Sequence, residues 1–458
     1  MDLLISCILW LLFTLVWVMA LSFISSGRRK GLPPGPRPYP VIGNLLELGG
    51  KPHKSLAKLA KIHGPIMSLR LGQVTTVVVS SPSMAKTILK EHDSLFCDRK
   101  VPESILSQPY QHHEFSLVWL PVSPLWRSLR KICNMHIFTT QKLDANQDLR
   151  RKKIKGLLAY VEENCSAVWG IMEEAGKPNL SDHFPLLKML DLQGIRRRNT
   201  LYAGKMFEVL DRLIDQRLKQ RQEHGCSISI EPKDYMLDTL LNIIQDKSVE
   251  IDIKHIKHLF ADLFIAGNDT TSITMEWAMT ELLHNPGALS KAKLELEQTV
   301  GKGNPIEESD IIRLPYLQAV VKETFRLHPP APLLIPRKAL EDVEIAGFTV
   351  PKGAQVFVNV WAIGRDESTW DNPHTFIPER FLRSNVDFKG QNFELIPFGA
   401  GRRICPGLPL AIRMLYLMLG SLINSFDWKL EDENMDMEEK FGITIMKAQP
   451  LRAVPVAI

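Results

Sequence analysis

The sequence predicts a mainly α-helical protein with a small β region. Apolar residues at helical spacing dominate the 458-residue chain, with one long helical pattern from about Ile251 to Leu283. The β region is predicted from two stretches. In Ser68–Ser80, β-branched residues cluster around a Leu-Gly-Gln turn, which indicates a short hairpin. A second β stretch is expected near Val343–Val358, where Gly347 and Pro351 mark turns.

Composition and charge indicate one large domain. Hydrophobic residues make up 45% of the chain, and no Pro-rich or Gly/Ser-rich linker follows residue 40, so residues 41–458 are expected to form one globular unit. The net charge of +5 is small for this length, and basic residues do not alternate with aromatic ones, so no nucleic-acid partner is expected. The six cysteines are far apart, which argues against a disulfide framework or a zinc site.

Residues 1–27 are predicted to be a membrane anchor. Leu3–Ile24 carries no charge, and a helix of this length spans roughly 33 Å, enough to cross a bilayer core. A removable signal peptide is the alternative, but its apolar run is usually only about 7–15 residues long. The Arg-Arg-Lys triplet that begins at residue 28 places the rest of the chain in the cytosol. Residues 28–40 form a basic, proline-rich hinge or a disordered tail.

A loop of glycines and prolines near the C-terminus contains one cysteine, Cys405. An apolar helical run, Leu408–Leu422, follows it, and Arg402 and Arg403 precede it. The helix dipole and the two arginines are expected to stabilise a thiolate at this position. Such a thiolate suits the axial position of a haem iron. The alternative is a glycine-rich turn that holds a buried structural cysteine.

The segment Ala266–Thr271 interrupts the long helical pattern. Its glycine and two threonines weaken the α-helical hydrogen bonding, and a threonine hydroxyl can replace a backbone partner. Within it, Asp269 stands next to Thr270, and an acid beside an alcohol can relay protons. An ordinary helix N-cap can contain the same residue types.

Two pairs of side chains lie on shared helical faces. Trp126 and Arg130 are four residues apart, whereas Glu323 and Arg326 are three apart. Isolated pairs of this kind are usually found at the surface, but the apolar neighbours of the second pair indicate a buried helix, where it needs further partners. The His112-His113 pair is expected on the surface of a loop.

The cysteine loop resembles the haem-ligand loop of the cytochrome P-450 monooxygenases, whose pattern is Phe-x-x-Gly-x-Arg-x-Cys-x-Gly. Each fixed position is filled, by Phe398, Gly401, Arg403, Cys405 and Gly407. The resemblance extends through nearly the whole chain, and the plant microsomal monoterpenoid hydroxylases of the geraniol 8-hydroxylase type are the most similar members. It implies the cytochrome P-450 fold with an N-terminal transmembrane helix, mainly α with a small β region.

The resemblance also gives roles to individual residues. Cys405 would be the thiolate ligand of the iron, and Asp269 and Thr270 would deliver protons. Haem b would be bound by Trp126, Arg130, Arg337, Phe398, Arg403 and Gly407. The haem loop would be supported by a buried triad of Glu323, Arg326 and Arg380. The substrate would face the apolar side chains of Phe115, Phe264, Ala266, Leu334 and Ile443.

A reaction and its partners follow from the resemblance. One atom of O2 would enter a C–H bond of a small apolar substrate, with a monoterpenoid alcohol as the favoured class. No flavin or nicotinamide site is apparent, so electrons would come from NADPH through the membrane-bound NADPH–cytochrome P-450 reductase. The expected location is the endoplasmic reticulum membrane, with the catalytic domain in the cytosol. The alternatives are a truncated relative that binds haem without turnover and a haem-free membrane scaffold.

The chain departs from the family pattern between Asn164 and Trp169. Related sequences carry on the order of forty further residues there, which cover the end of one helix, the next helix and the start of the substrate-roof helix. The helix missing here normally packs in the central bundle. Its loss would expose apolar surface at roughly 25 cal/mol per Å².

Overall fold

The computed structural model describes residues 31–106, 108–159, 179–184, 191–223, 236–246, 250–431 and 435–457, with a few positions between 6 and 17. The predicted anchor, residues 1–27, lies almost wholly outside the described residues. The short junction between Asn164 and Trp169 lies entirely outside them.

Helices make up most of the described chain. In order they are α1 Leu45–Leu48, α2 Pro52–His63, α3 Pro82–Lys86, α4 Glu103–Leu106, α5 Pro124–Ile132, α6 Thr140–Ala145, α7 Gln147–Ala159, α8 Leu180–His183, α9 Ile195–Glu223, α10 Met236–Gln245, α11 Ile253–His284, α12 Pro286–Thr299, α13 Pro315–Leu327, α14 Val360–Ile363 and α15 Leu408–Ser425. Single π-helical turns extend α3 and α5, at Thr87–Glu91 and Cys133–Ile137. Short 3₁₀ turns include Gly401–Arg403, which lies within the cysteine loop.

Within the described ranges, the strands form one five-stranded sheet and three two-stranded ribbons. They are β1 Ile66–Leu71, β2 Val74–Val79, β3 Asp98–Arg99, β4 Arg337–Lys338, β5 Val343–Ile345, β6 Phe348–Val350, β7 Gln355–Val358, β8 Phe426–Leu430, β9 Glu439–Lys440, β10 Met446–Lys447 and β11 Ala453–Ala457. The larger sheet has the order β1-β2-β7-β4-β3. The predicted hairpin is present as β1 and β2, and the predicted second β region contains β5, β6 and β7.

The core surrounds α11, which packs against α13 and α15. Asp252 caps its first turn, because a carboxylate oxygen accepts the backbone N–H of His255 at 3.0 Å. The observed range agrees with the predicted 251–283. In the described part of the chain, α15 is the one helix long and apolar enough to cross a membrane, by length and composition alone. Its side chains at Leu415, Leu419 and Ile423 are buried in the core.

The helix α11 continues through Ala266–Thr271, so this segment does not divide the predicted helix. The hydroxyl of Thr270 donates to the carbonyl of Ala266 at 2.7 Å, and the hydroxyl of Ser272 donates to the carbonyl of Asn268 at 2.9 Å. Each bond reaches back four residues, so these side chains add a partner to helical carbonyls without opening the helix.

Candidate active site

The cysteine loop is fixed by its own backbone and by the start of α15. The N–H of Cys405 donates to the carbonyl of Phe398 at 3.0 Å, which closes the loop. Gly401 has a φ of +70°, and a Cβ there would lie 2.0 Å from the carbonyl oxygen of Leu89, so only glycine fits this turn. The Cys405 sulfur accepts hydrogen bonds from the N–H groups of Gly407 and Leu408 at the start of the helix.

The sulfur lacks the arginine neighbours that were expected. The two arginines of the 3₁₀ turn point elsewhere: Arg402 lies against Asp93, and Arg403 bonds to three backbone carbonyls. Burial raises the pKa of the Cys405 thiol, opposed by the Gly407 and Leu408 N–H groups and by Arg130. The helix N-terminus therefore contributes as expected, but a bound metal cation is still needed to hold a thiolate here.

Trp126 and Arg130 lie on one face of α5, beside the cysteine loop. Arg130 donates from Nη1 to the carbonyl of Ile404 at 2.6 Å, directly before the cysteine. Trp126 donates from its indole N–H to the carbonyl of Leu117 at 3.0 Å, and the guanidinium of Arg403 lies 4.6 Å from the ring centroid. Both helical residues are therefore part of the wall around the loop, and their bonds in this structure are to backbone carbonyls.

Several arginines lie close together beside the cysteine loop, and few carboxylates are near enough to balance their positive charge. Backbone pairing of β3 with β4 sets Arg99 directly opposite Arg337, and like charges so placed are destabilising. Arg337 donates to Asp93 at 3.0 Å and to the carbonyl of Ala400 at 3.1 Å. The Asp93 carboxylate also accepts the Arg402 N–H at 2.9 Å. Burial, together with the charge of Arg337, lowers the pKa of Arg403 to about 10.

Arg99 is a candidate binding residue that no sequence pattern indicated. Its Nε has no hydrogen-bond partner among the described residues, and its pKa is well below the usual value because of burial and because Arg337 and Arg403 repel it. A dianionic ligand would relieve this excess of positive charge. The cluster, together with a sulfur at a helix N-terminus, therefore fits a haem with its two propionates.

Asp269 and Thr270 occupy neighbouring positions on α11 but face different directions. Asp269 is buried, and Oδ2 accepts the hydroxyl of Thr444 at 2.9 Å. Burial raises the pKa of the Asp269 carboxyl, and the Thr444 bond partly offsets this rise. A raised pKa favours the protonated form of the carboxyl, which is the form that can donate a proton.

Glu323, Arg326 and Arg380 meet in one buried cluster. Arg326 forms two bonds to the carboxylate of Glu323, both at 2.7 Å, and Arg380 adds a third at 3.0 Å. The side chains of Glu323 and Arg326 are both fully buried. Phe325, between them on α13, packs edge-to-face against Phe398 of the cysteine loop, with ring centroids 5.2 Å apart. The triad thus holds the helix on which the loop rests.

The five residues expected to face the substrate do not share one cavity. Leu334 and Ile443 line a cavity of about 190 Å³, together with Phe357, Phe441 and other residues. Phe264, 53% exposed, lines a separate cavity of about 420 Å³ between α9, α10 and α11. The other two residues lie outside both cavities. Phe115 stacks on His258 with ring centroids 5.0 Å apart, and Ala266 is exposed on α11.

The expectation that His112 lies on the surface of a loop is wrong. It is buried, and its ring bonds to His258 at 2.8 Å and to Asp262 at 3.1 Å. Asp262 also accepts the hydroxyl of Ser116 and the N–H of Leu117, both at 2.7 Å. This network fixes the loop after α4 to α11, and a sequence pattern gives no sign of it because the partners are about 150 residues apart.

His258 is expected to make the fold sensitive to acid. Burial and the charges of His112, Lys254, Lys257 and His255 lower its pKa to about 3. The unfolded chain takes up this proton near pH 6.5, so stability falls as the pH drops below that value, by about 2 kcal/mol at pH 5. Thermal midpoints from pH 7.5 to 5 should show this slope, and His258→Gln should flatten it. If the thermal midpoint falls equally with pH in the parent chain and in His258→Gln, the acid sensitivity does not come from His258.

The chain belongs to the cytochrome P450 family. The family model matches residues 33–168 and 165–454, which together span most of the chain. The predicted enzyme class, a cytochrome P450 monooxygenase with a mostly helical fold and small sheets, is therefore confirmed. Membership in the family implies a haem-thiolate centre, which the cysteine loop and the arginine cluster fit. The two matched segments meet at 165–168, where the sequence analysis expects a shortened connection.

Named relatives resemble the chain over nearly its full length. It is 51% identical to a geraniol 8-hydroxylase from Catharanthus roseus, with 98% of each chain covered. It is 50% identical to a geraniol 8-hydroxylase from Swertia mussotii, with 97% of each covered, and 48% identical to a drimenol monooxygenase from Persicaria hydropiper, with 96% and 95% covered. The first alignment has 493 positions, more than the 458 residues of this chain, so that relative carries residues without a counterpart here.

Proposed function

We propose that this chain is a membrane-anchored haem-thiolate monooxygenase that hydroxylates a small monoterpenoid alcohol. The observation that carries the proposal is the Cys405 sulfur at the start of α15, facing the N–H groups of Gly407 and Leu408, beside a cluster of arginines with excess positive charge. Haem bound there would supply the activation of O2 that inserts one oxygen atom into a C–H bond and releases the other as water.

The protein's own residues would position the cofactor and supply protons. Cys405 would hold the iron, while Arg99, Arg130 and Arg337 would offer donors and charge to the propionates. The Thr270 hydroxyl donates to the carbonyl of Ala266, so its oxygen can accept a hydrogen bond from a proton donor. Asp269, with its raised pKa, would pass protons to this region through water.

Thr270→Ala is expected to separate proton delivery from haem binding. The change removes the hydroxyl from an unbroken helix, so haem content should stay unchanged. Product formed per NADPH consumed should fall by about 10²-fold or more, because one positioned proton-transfer group typically contributes 10²–10⁴. Free hydrogen peroxide should rise in parallel, and Thr270→Ser should restore coupling. Unchanged coupling in the alanine variant would exclude this role for Thr270.

The substrate class is proposed from the relatives and from one cavity. Both geraniol 8-hydroxylases are at least 50% identical to this chain. The cavity of about 190 Å³ at Leu334 and Ile443 is smaller than the roughly 300–1,000 Å³ of pockets for drug-sized ligands, which favours a small apolar molecule. Incubation of the reconstituted enzyme with geraniol or with drimenol tests this. We expect hydroxylated geraniol as the main product, and turnover of drimenol alone would contradict the proposal.

Membrane attachment and the electron donor complete the proposal. The uncharged stretch Leu3–Ile24, followed by a basic triplet, supports a single-pass anchor in the endoplasmic reticulum with the catalytic domain in the cytosol. NADPH–cytochrome P-450 reductase is the proposed donor. Full-length chain should stay with membranes after carbonate extraction, and deletion of residues 1–27 should release it. Product should require both the reductase and NADPH, and turnover without the reductase would exclude it as the donor.

A further inference from the structure

The acid of the proton-relay pair has a buried partner from the far end of the chain. Thr444 lies between β9 and β10 and donates its hydroxyl to Oδ2 of Asp269 at 2.9 Å. Only 3% of Thr444 and 5% of Asp269 are exposed. The two residues are 175 positions apart, so the contact depends on how the C-terminal segment packs against α11.

Thr444 is held in place through the residue that follows it. The N–H of Ile445 donates to the carbonyl of Pro330 at 2.9 Å, and its carbonyl accepts the indole N–H of Trp277 at 3.3 Å. Trp277 is on α11, about two turns beyond Asp269. The segment is thus tied to the same helix that carries the acid, which fixes the hydroxyl relative to the carboxyl.

Asp269 faces a groove that is separate from the cysteine loop. It lines this groove of about 690 Å³ together with Ser272 and Glu276, which share one face of α11. Lys440 and Lys447 line the same groove from β9 and β10. Neighbouring residues in a helix are turned about 100° from each other, so Thr270 points away from this line.

We propose that Thr444 is a positioning residue for Asp269, and that the groove is the route by which protons reach this carboxyl. The inference rests on the proposed function. The Thr444 hydroxyl fixes the carboxyl rotamer at the end of the groove. A proton that Asp269 gives up toward Thr270 is replaced from Glu276, Ser272 and water in the groove, so the carboxyl returns to its starting state.

Thr444→Val tests the proposal because valine keeps the shape of threonine and removes the hydroxyl. Product per NADPH is expected to fall about tenfold, less than the loss of a proton donor itself, with more hydrogen peroxide and unchanged haem content. Thr444→Ser should restore coupling. Thr280→Val is the matched control, because Thr280 is a buried threonine on α11 whose hydroxyl bonds only to a helical carbonyl in this structure.

A pH titration separates positioning from a structural role. The Thr444 hydroxyl donates to the carboxylate of Asp269 and so lowers its pKa, and loss of this hydroxyl should therefore raise the pKa of Asp269 further. The other charged groups facing the groove, Glu276, Lys440 and Lys447, are the same in all variants. The pH profile of coupling should therefore move to higher pH in Thr444→Val and return in Thr444→Ser.

The same shift can be measured without turnover. The infrared band of the protonated Asp269 carboxyl, identified by its loss in Asp269→Asn, should titrate at higher pH in Thr444→Val than in the parent chain. An unchanged titration and unchanged coupling in Thr444→Val would overturn the inference, even if its melting temperature falls. If the parent chain forms no product, the proposed function fails, and the infrared titration still decides the role of Thr444.

Discussion

Cys405→Ser is expected to abolish the strongly red-shifted Soret band of the reduced carbon-monoxide complex. Serine should preserve the loop, because its closure uses the backbone N–H of residue 405 and the carbonyl of Phe398. It cannot provide the thiolate on which the band depends. The arginines near the loop are expected to keep part of the haem bound, so the measurement is the spectrum per haem rather than haem content alone.

Cys133→Ser is the matched control for this experiment. Cys133 is a fully buried thiol close to Arg130, and burial raises its pKa to about 12, so it should stay protonated. The variant should keep the red-shifted band. A band that survives in Cys405→Ser and disappears in Cys133→Ser would show that Cys133, and not Cys405, is the ligand.

Glu323→Gln is expected to cause the largest loss of stability. The carboxylate accepts bonds from Arg326, Arg380 and the N–H of Ile377, and glutamine leaves two guanidinium groups without their charge partner. Removing one member of a buried pair typically costs about 3–5 kcal/mol, a large part of a domain stability of about 5–15 kcal/mol. Because Phe325 packs on Phe398, the haem loop should loosen as well.

The measurement is the urea concentration at which half of the red-shifted band is lost. Glu367→Gln is the control, because Glu367 pairs with Lys61 at 2.9 Å and both side chains are mostly exposed. It should leave the midpoint almost unchanged. A similar midpoint for both variants would show that the triad does not support the loop.

Local patterns in the sequence were enough to predict the elements that carry the site. The hairpin β1–β2, the range of α11 and the helix after Cys405 follow from residue periodicity, glycines and turn residues over short distances. The spacing of Glu323 and Arg326 likewise placed them on one face of a helix that proved to be buried. Each of these predictions depends on residues close together in the chain.

The parts that were missed depend on long-range packing. Thr444 reaches Asp269, His112 reaches Asp262, and Arg99 stands opposite Arg337 only because separate segments dock together. The prediction that arginines flank the cysteine sulfur was wrong for the same reason. Arg403 is near Cys405 in sequence, but backbone carbonyls of a distant segment bind its side chain.

The carbon-monoxide difference spectrum of the membrane-expressed chain is the decisive test of the haem-thiolate assignment. We expect this chain, with its short connection between Asn164 and Trp169, to bind haem through the Cys405 thiolate. Reduction in the presence of carbon monoxide should give the strongly red-shifted Soret band, in proportion to bound haem. Bound haem without that shift, or a folded protein that takes up no haem, would exclude Cys405 as the ligand of a haem-thiolate centre.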